Sequence, residues 1–168
     1  IDCVFFGKGN EDKDNVVVIE LKQWSKAKDC DIDNNIITFT GGAERMVPHP
    51  SAQVRGYHYY LKDFVEVFDG PKGINLASCV YCHNYSKANE TVLYQSKFSD
   101  LLKEFPLFSK EDFEIFGNYL KSKLSKGKGL EIFNRFVASN IRPSKKFLEQ
   151  ALPMVQGQQV FNLLDEQI

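Results

Sequence analysis

Val16-Val17-Val18-Ile19-Glu20-Leu21-Lys22-Gln23-Trp24 is the stretch on which the reading of this chain turns. Four consecutive β-branched residues favour an extended, buried strand over a helix. A second apolar run, Ile1 to Gly7, precedes it. Between them lies Lys8-Gly9-Asn10-Glu11-Asp12-Lys13-Asp14-Asn15, which is polar and turn-forming, so the two runs read as a β-hairpin with a long tip. If that tip centres near Glu11, Asp2 lies opposite Glu20. Alternation then puts Glu20 and Lys22 on one face and turns Ile19 and Leu21 the other way, into the core.

Farther along the chain, Asn35 to Thr40 is a weaker strand candidate, ended by Gly41-Gly42. Pro48 and Pro50 punctuate the chain before a helix from Ser51 to Phe68, where Val54, Tyr57, Leu61, Phe64, Val65 and Phe68 recur at helical spacing. Gly70-Pro71-Lys72-Gly73 closes it, and Ile74 to Cys82 is the next strand. Beyond that the pattern is helical. Phe98, Leu101, Leu102 and Phe105 mark one helix, broken by Pro106, and Ser109 to Asp112 resembles a capping box ahead of Phe113 to Leu124. Leu130 to Ser139 and Ser144 to Val155 read as two more helices, and Val160 to Leu164 as a last short strand. The expected fold is α/β: a mixed central sheet flanked by helices, with a helical C-terminal part.

The sequence has 168 residues, 43% hydrophobic and 26% charged, with 14 Phe and 7 Tyr, which excludes disordered, collagen-like and low-complexity classes. No apolar run approaches the ~18 residues of a membrane span, so a soluble, cytoplasmic domain with no membrane partner is expected. Ile1 enters a hydrophobic strand without a Met, as a chain lacking its N-terminal lead-in or cut from a longer protein would.

Formal charge is −1 overall, but Lys121 to Lys146 carries +7 and the remainder −8. Such a basic segment suits a polyanion or, equally, a solvated helix face. Four cysteines are too few for a disulfide scaffold. Cys79-Val80-Tyr81-Cys82-His83 matches the covalent-haem pattern, yet it falls inside an expected buried strand, where reduced core thiols are the better reading.

The chemistry concentrates at Asp2, Glu20 and Lys22. Opposed carboxylates repel in a sheet, and burying them is costly without a cation between them. Mg²⁺ fits that demand, since it typically takes one or two carboxylates plus waters and substrate phosphate. An ordinary Glu–Lys salt pair on an edge strand explains the spacing equally well. Gln53 and Tyr57 sit four apart on one helical face. Gly56, between them, suggests a close backbone approach, because glycine inside a helix costs about 1 kcal/mol relative to alanine.

Asp2, Glu20-Leu21-Lys22 and Gln53 to Tyr57, in that order, resemble the PD-(D/E)XK nuclease superfamily, specifically its RecB-like members with a Gln-x-x-x-Tyr motif. Val18 to Trp24, His49-Pro50-Ser51-Ala52-Gln53, His83-Asn84-Tyr85, Ile141-Arg142-Pro143-Ser144-Lys145 and Leu164-Asp165-Glu166-Gln167 further resemble the N-terminal nuclease-like region of bacterial schlafen-group-3-like DNA/RNA helicases. The resemblance implies a restriction-endonuclease-like domain over residues 1–160, with 161–168 leading toward a helicase domain in the same polypeptide. It implies a Mg²⁺- or Mn²⁺-dependent nuclease, a deoxyribonuclease and endonuclease acting on DNA, with RNA the alternative substrate, and a phage-defence role.

Asp2, Glu20 and the Leu21 carbonyl would then bind metal. Lys22 would orient or deprotonate the attacking water, and Gln53 and Tyr57 would position the nucleic acid. Arg55, His49, Arg142, Lys145 and Lys146 are further candidate nucleic-acid contacts. A nucleic-acid-binding or regulatory module of a helicase, without cleavage, is the alternative.

Overall fold

The computed structural model describes residues 1–143. Outside them lie the expected helix from Ser144 to Val155, the strand from Val160 to Leu164, Lys145, Lys146 and the boundary at residue 160.

The opening hairpin forms from β1 (Cys3–Lys8) and β2 (Asp14–Lys22), paired antiparallel with Cys3 facing Ile19 and Lys8 facing Asp14. Continued by one residue, that register places Asp2 across from Glu20, as the hairpin reading requires. β3 (Asn35–Thr40) and β4 (Ala43–Pro48) make a separate two-stranded sheet. Its turn is Gly41-Gly42, both at positive φ, which only glycine adopts without strain. The sequence pattern ends the strand at those glycines and misses β4. All but one of β4's residues are exposed, so it carries no apolar alternation to find.

Helix α1 spans Pro50–Phe64. It ends four residues before the expected Phe68 because Val65 turns extended and forms a bridge with Ile141, after which Glu66–Phe68 make a single tight turn. The chain then enters β5 (Asn75–Cys82), parallel to β2, followed by α2 (Ser99–Glu104) and β6 (Leu107–Ser109), parallel to β5. β6 is a second strand the pattern hides: its three residues are all buried and lie directly behind Pro106. The main sheet thus runs β1-β2-β5-β6, one antiparallel pair and the rest parallel. Ser109 and Asp112 close a reciprocal capping box ahead of α3 (Phe113–Leu124), and α4 (Gly129–Val137) completes the described chain.

β2 explains the layering. Val18 packs with Val54 of α1, Val80, Cys82 and Tyr85 on one side. Val17 and Ile19 pack on the other with Cys79, Phe108 and the α3 residues Phe116, Tyr119 and Leu120. A strand covered on both faces reads as a continuous aliphatic run, which is what Val16 to Ile19 is. Leu21 departs from expectation. It is 39% exposed, because the end of β2 runs past the cover of α3.

Cys79 and Cys82 belong to clusters on opposite faces of the sheet, so they cannot present two thiols to one haem edge. Burial pushes both thiols up to about 12, the chemistry of inert core cysteines.

Gly56 corrects another expectation. Nothing lies within 4 Å of a Cβ built there, and the position is exposed, so no backbone packs against it. Gly56→Ala should therefore stabilise the fold by up to about 1 kcal/mol, read as a raised denaturant midpoint. A destabilised variant would show an unseen contact on that helix face.

Candidate active site

The sheet brings the acidic residues to the C-terminal end of β2, beside the first turns of α1. That is the end of parallel strands where open α/β sheets place ligands. Glu20 is 3% exposed. Its Oε1 accepts from Lys22 Nζ at 2.7 Å and from Gln53 Nε2 at 2.7 Å. The same Gln53 amide donates to Tyr57 Oη at 3.0 Å, which commits both of its hydrogens. Oε2 of Glu20 is buried and has no hydrogen-bond partner among the described residues.

Asp2 is exposed at the mouth of the same site. One of its oxygens, Oδ2, accepts from the Leu21 N–H at 2.8 Å, so the carboxylate is tied to the residue between Glu20 and Lys22. The Lys22 ammonium also stands 5.0 Å from the centroid of the Trp24 ring, a cation–π contact. Asp2, Glu20, Leu21, Lys22, Gln53 and Tyr57 are therefore one connected group. Gln53 is directed at Glu20 and Tyr57 at Gln53, whereas the resemblance implies a direct grip on nucleic acid.

The remaining candidates fall elsewhere. Arg55 is two positions, about 200°, around the helix from both Gln53 and Tyr57, so it cannot share their face. His49 is fully buried, which removes it from the list of nucleic-acid contacts. It is the N-cap of α1: Nδ1 accepts from the Ser51 N–H at 3.1 Å, Nε2 lies 3.1 Å from the Leu93 carbonyl, and the ring packs on Phe98. Arg142 is paired with Asp69, and its N–H donates to the Phe64 carbonyl, so it fastens the chain after α4 instead of offering a phosphate contact.

The basic segment is largely answered from within the fold. Lys126 pairs with Asp12, Lys128 with Glu131 and Arg135 with Asp14. The hairpin tip that supplies Asp12 and Asp14 is docked there, since the Lys8 N–H donates to Gly127 and the Asn10 N–H to Ser122. The solvated, ion-paired reading accounts for the described part of that segment.

A fit to a divalent cation can be judged from the donors. Among the described residues no cluster of three or more His, Cys, Asp or Glu side chains is placed to hold a metal. The site offers two such side chains, Glu20 and Asp2, beside the Leu21 main-chain carbonyl. An oxygen-only set with one or two carboxylates is the donor set Mg²⁺ accepts, whereas Zn²⁺ sites favour His and Cys. The orphaned Glu20 Oε2 is the observation that favours a bound cation, because a buried carboxylate oxygen without a donor is costly.

Beside this group lies an open groove of about 800 Å³, walled by the segment from Leu21 to Lys28 and by the β3–β4 hairpin. Its hairpin wall is mostly β3, from Ile37 to Thr40, with Glu44 of β4, and the sequence pattern shows β3 but not β4. The Gly-Gly pair between Thr40 and Ala43, read as a two-residue hairpin turn, is the signal that could have found it.

No family model, curated protein or solved structure matches this chain. Among the described residues no helix is long and apolar enough to cross a membrane.

Proposed function

We propose that the domain is a metal-dependent phosphodiesterase, a nuclease of the PD-(D/E)XK type acting on DNA or RNA. The observation that carries this reading is the half-satisfied Glu20 carboxylate: Oε1 takes two donors and the buried Oε2 takes none. A carboxylate kept only for a salt bridge gains nothing from burying a bare oxygen.

Glu20 Oε2 and the oxygen of Asp2 that is not bonded to Leu21 are the groups that would hold a hard divalent cation, with the Leu21 carbonyl as a third. Such a cation, when bound, supplies charge neutralisation at a phosphate and activation of the attacking water. The chain's own residues do the rest. Gln53 and Lys22 fix the carboxylate through Oε1, leaving the buried Oε2 without a protein donor. Lys22, 14% exposed at its side chain, adds fixed positive charge in a partly dry cleft, where it acts on developing phosphate charge more strongly than in water. Tyr57 holds the Gln53 amide in place.

A chelator-controlled assay tests the proposal. Linear and circular single-stranded DNA, plasmid and RNA incubated with the protein should be cut in Mg²⁺ or Mn²⁺ and left intact in EDTA. Cleavage of circular substrates marks an endonuclease. Equal activity with and without chelator would remove the metal reading, and no cleavage of any substrate would leave the alternative of a binding module.

A further inference from the structure

The groove next to the candidate site has two aromatic residues in its lining, Phe39 and Trp24, of which Trp24 also packs on the core and against Lys22. Phe39 is 67% exposed, on the outer face of β3 beside the Gly41-Gly42 turn, and lines the groove. A single exposed Phe is unremarkable. This one shares a concave surface with Trp24, the sole tryptophan of the chain, and with Lys22 and Lys26. Lys28 also lines the groove, but it is paired with Glu44, the cross-strand neighbour of Phe39. Lys26 makes no ion pair among the described residues, so the groove keeps an uncommitted cation. Leu21 and Lys22 belong both to the groove and to the candidate site, so whatever occupies one is delivered to the other.

We propose that this groove binds single-stranded nucleic acid, with Phe39 and Trp24 offering ring faces to unpaired bases and Lys26 a contact to the backbone phosphate. Two aromatic residues with interspersed lysines suit a polymer that alternates flat π-faces with negative charge. A duplex is disfavoured because its base faces are already stacked on their neighbours, which leaves the rings nothing to cover. An acidic peptide could satisfy the lysines but not the stacking surfaces. The inference deepens the phosphodiesterase reading by naming the substrate form, and it can be tested apart from it.

The lone Trp24 makes the test direct. The protein in EDTA is titrated with oligo(dT), oligo(U) and a duplex of matched length, following tryptophan fluorescence. Either single strand should quench it saturably, with affinity falling as salt rises, while the duplex should not at equal phosphate concentration. Phe39→Ala, an exposed substitution that leaves the fold alone, should weaken single-strand binding about tenfold or more. Quenching by only one oligomer supports the proposal and shows which single strand the groove prefers. No quenching, equal quenching by duplex, or unchanged affinity in Phe39→Ala overturns it. Because no metal is present, failure here leaves the cleavage reading standing. Quenching without cleavage in Mg²⁺ would keep the groove and remove the nuclease.

Discussion

Lys22→Met should lower Mg²⁺-dependent cleavage by about a hundred- to a thousandfold, the usual loss when one preorganised electrostatic group is taken from a phosphate or oxyanion site. The argument starts from burial. Lys22 and Glu20 are 14% and 4% exposed at their side chains and meet at 2.7 Å. Breaking a buried pair by removing one partner costs about 3–5 kcal/mol, so the single variant loses stability as well as activity. That confounds the result unless the charge is balanced again. The double variant Glu20→Gln with Lys22→Met restores neutrality with little change of shape, and replacing both members of a buried pair is often close to neutral. It should therefore regain most of the lost stability, measured as a denaturant midpoint, and remain inactive.

If the two residues were only a strand-end salt pair, the double variant would recover both. A second readout separates the roles without any substrate. Mg²⁺ should raise the melting temperature of the wild type, as any ligand of the native state alone does, and Glu20→Gln should abolish the rise. An identical metal response in that variant would count against Glu20 as a ligand.

The network around Glu20 shows which parts of this protein were legible from sequence. The strand and its register were legible because Val16 to Ile19 is buried on both faces and the intervening turn is polar, so pattern and turn length fix which residues face each other. The Gln53–Tyr57 pairing follows from helix geometry alone. The contact of Gln53 with Glu20 does not, since it depends on how α1 packs across β2. The sequence shows only half of the β3–β4 hairpin because the outer strand is exposed and buries too little to show a period. β6 was hidden because three buried residues after a proline resemble a helix flank.

Charge was the least legible. Lys126 and Arg135 of the basic segment pair with acids from the hairpin tip more than a hundred residues earlier, contacts that no local pattern contains. What sequence marks well is a residue whose environment follows from its neighbours in the chain. His49 shows the opposite case, a loop histidine between prolines that caps α1 locally but is buried and held by the distant Leu93 and Phe98.

The largest pH effect should come from that histidine. Burial, helped by the positive charge of Lys97 and opposed by the Leu93 carbonyl, lowers His49 from 6.5 to about 4. The geometry gives the cause. Nδ1 accepts from the Ser51 N–H while Nε2 donates to Leu93, so a second proton would put one N–H against another at the start of α1. The unfolded chain has no such conflict and protonates near 6.5.

Below that pH the unfolded state binds a proton that the folded state refuses. Stability is therefore complete above about 6.5, falls as pH drops toward about 4, and changes no further through this group below it. The full loss is about 3 kcal/mol, a large share of what holds a domain of this size together. His49→Asn keeps a side-chain acceptor for the cap but cannot ionise. At pH 7 the variant should be less stable than wild type, having lost the bond to Leu93 and the packing on Phe98. By pH 4 the gap should close or reverse by about 3 kcal/mol, in urea midpoints taken at several pH values. His58, also lowered by burial, and the acidic residues titrate in both proteins and cancel in the difference. Two parallel stability curves would mean that His49 carries no suppressed proton.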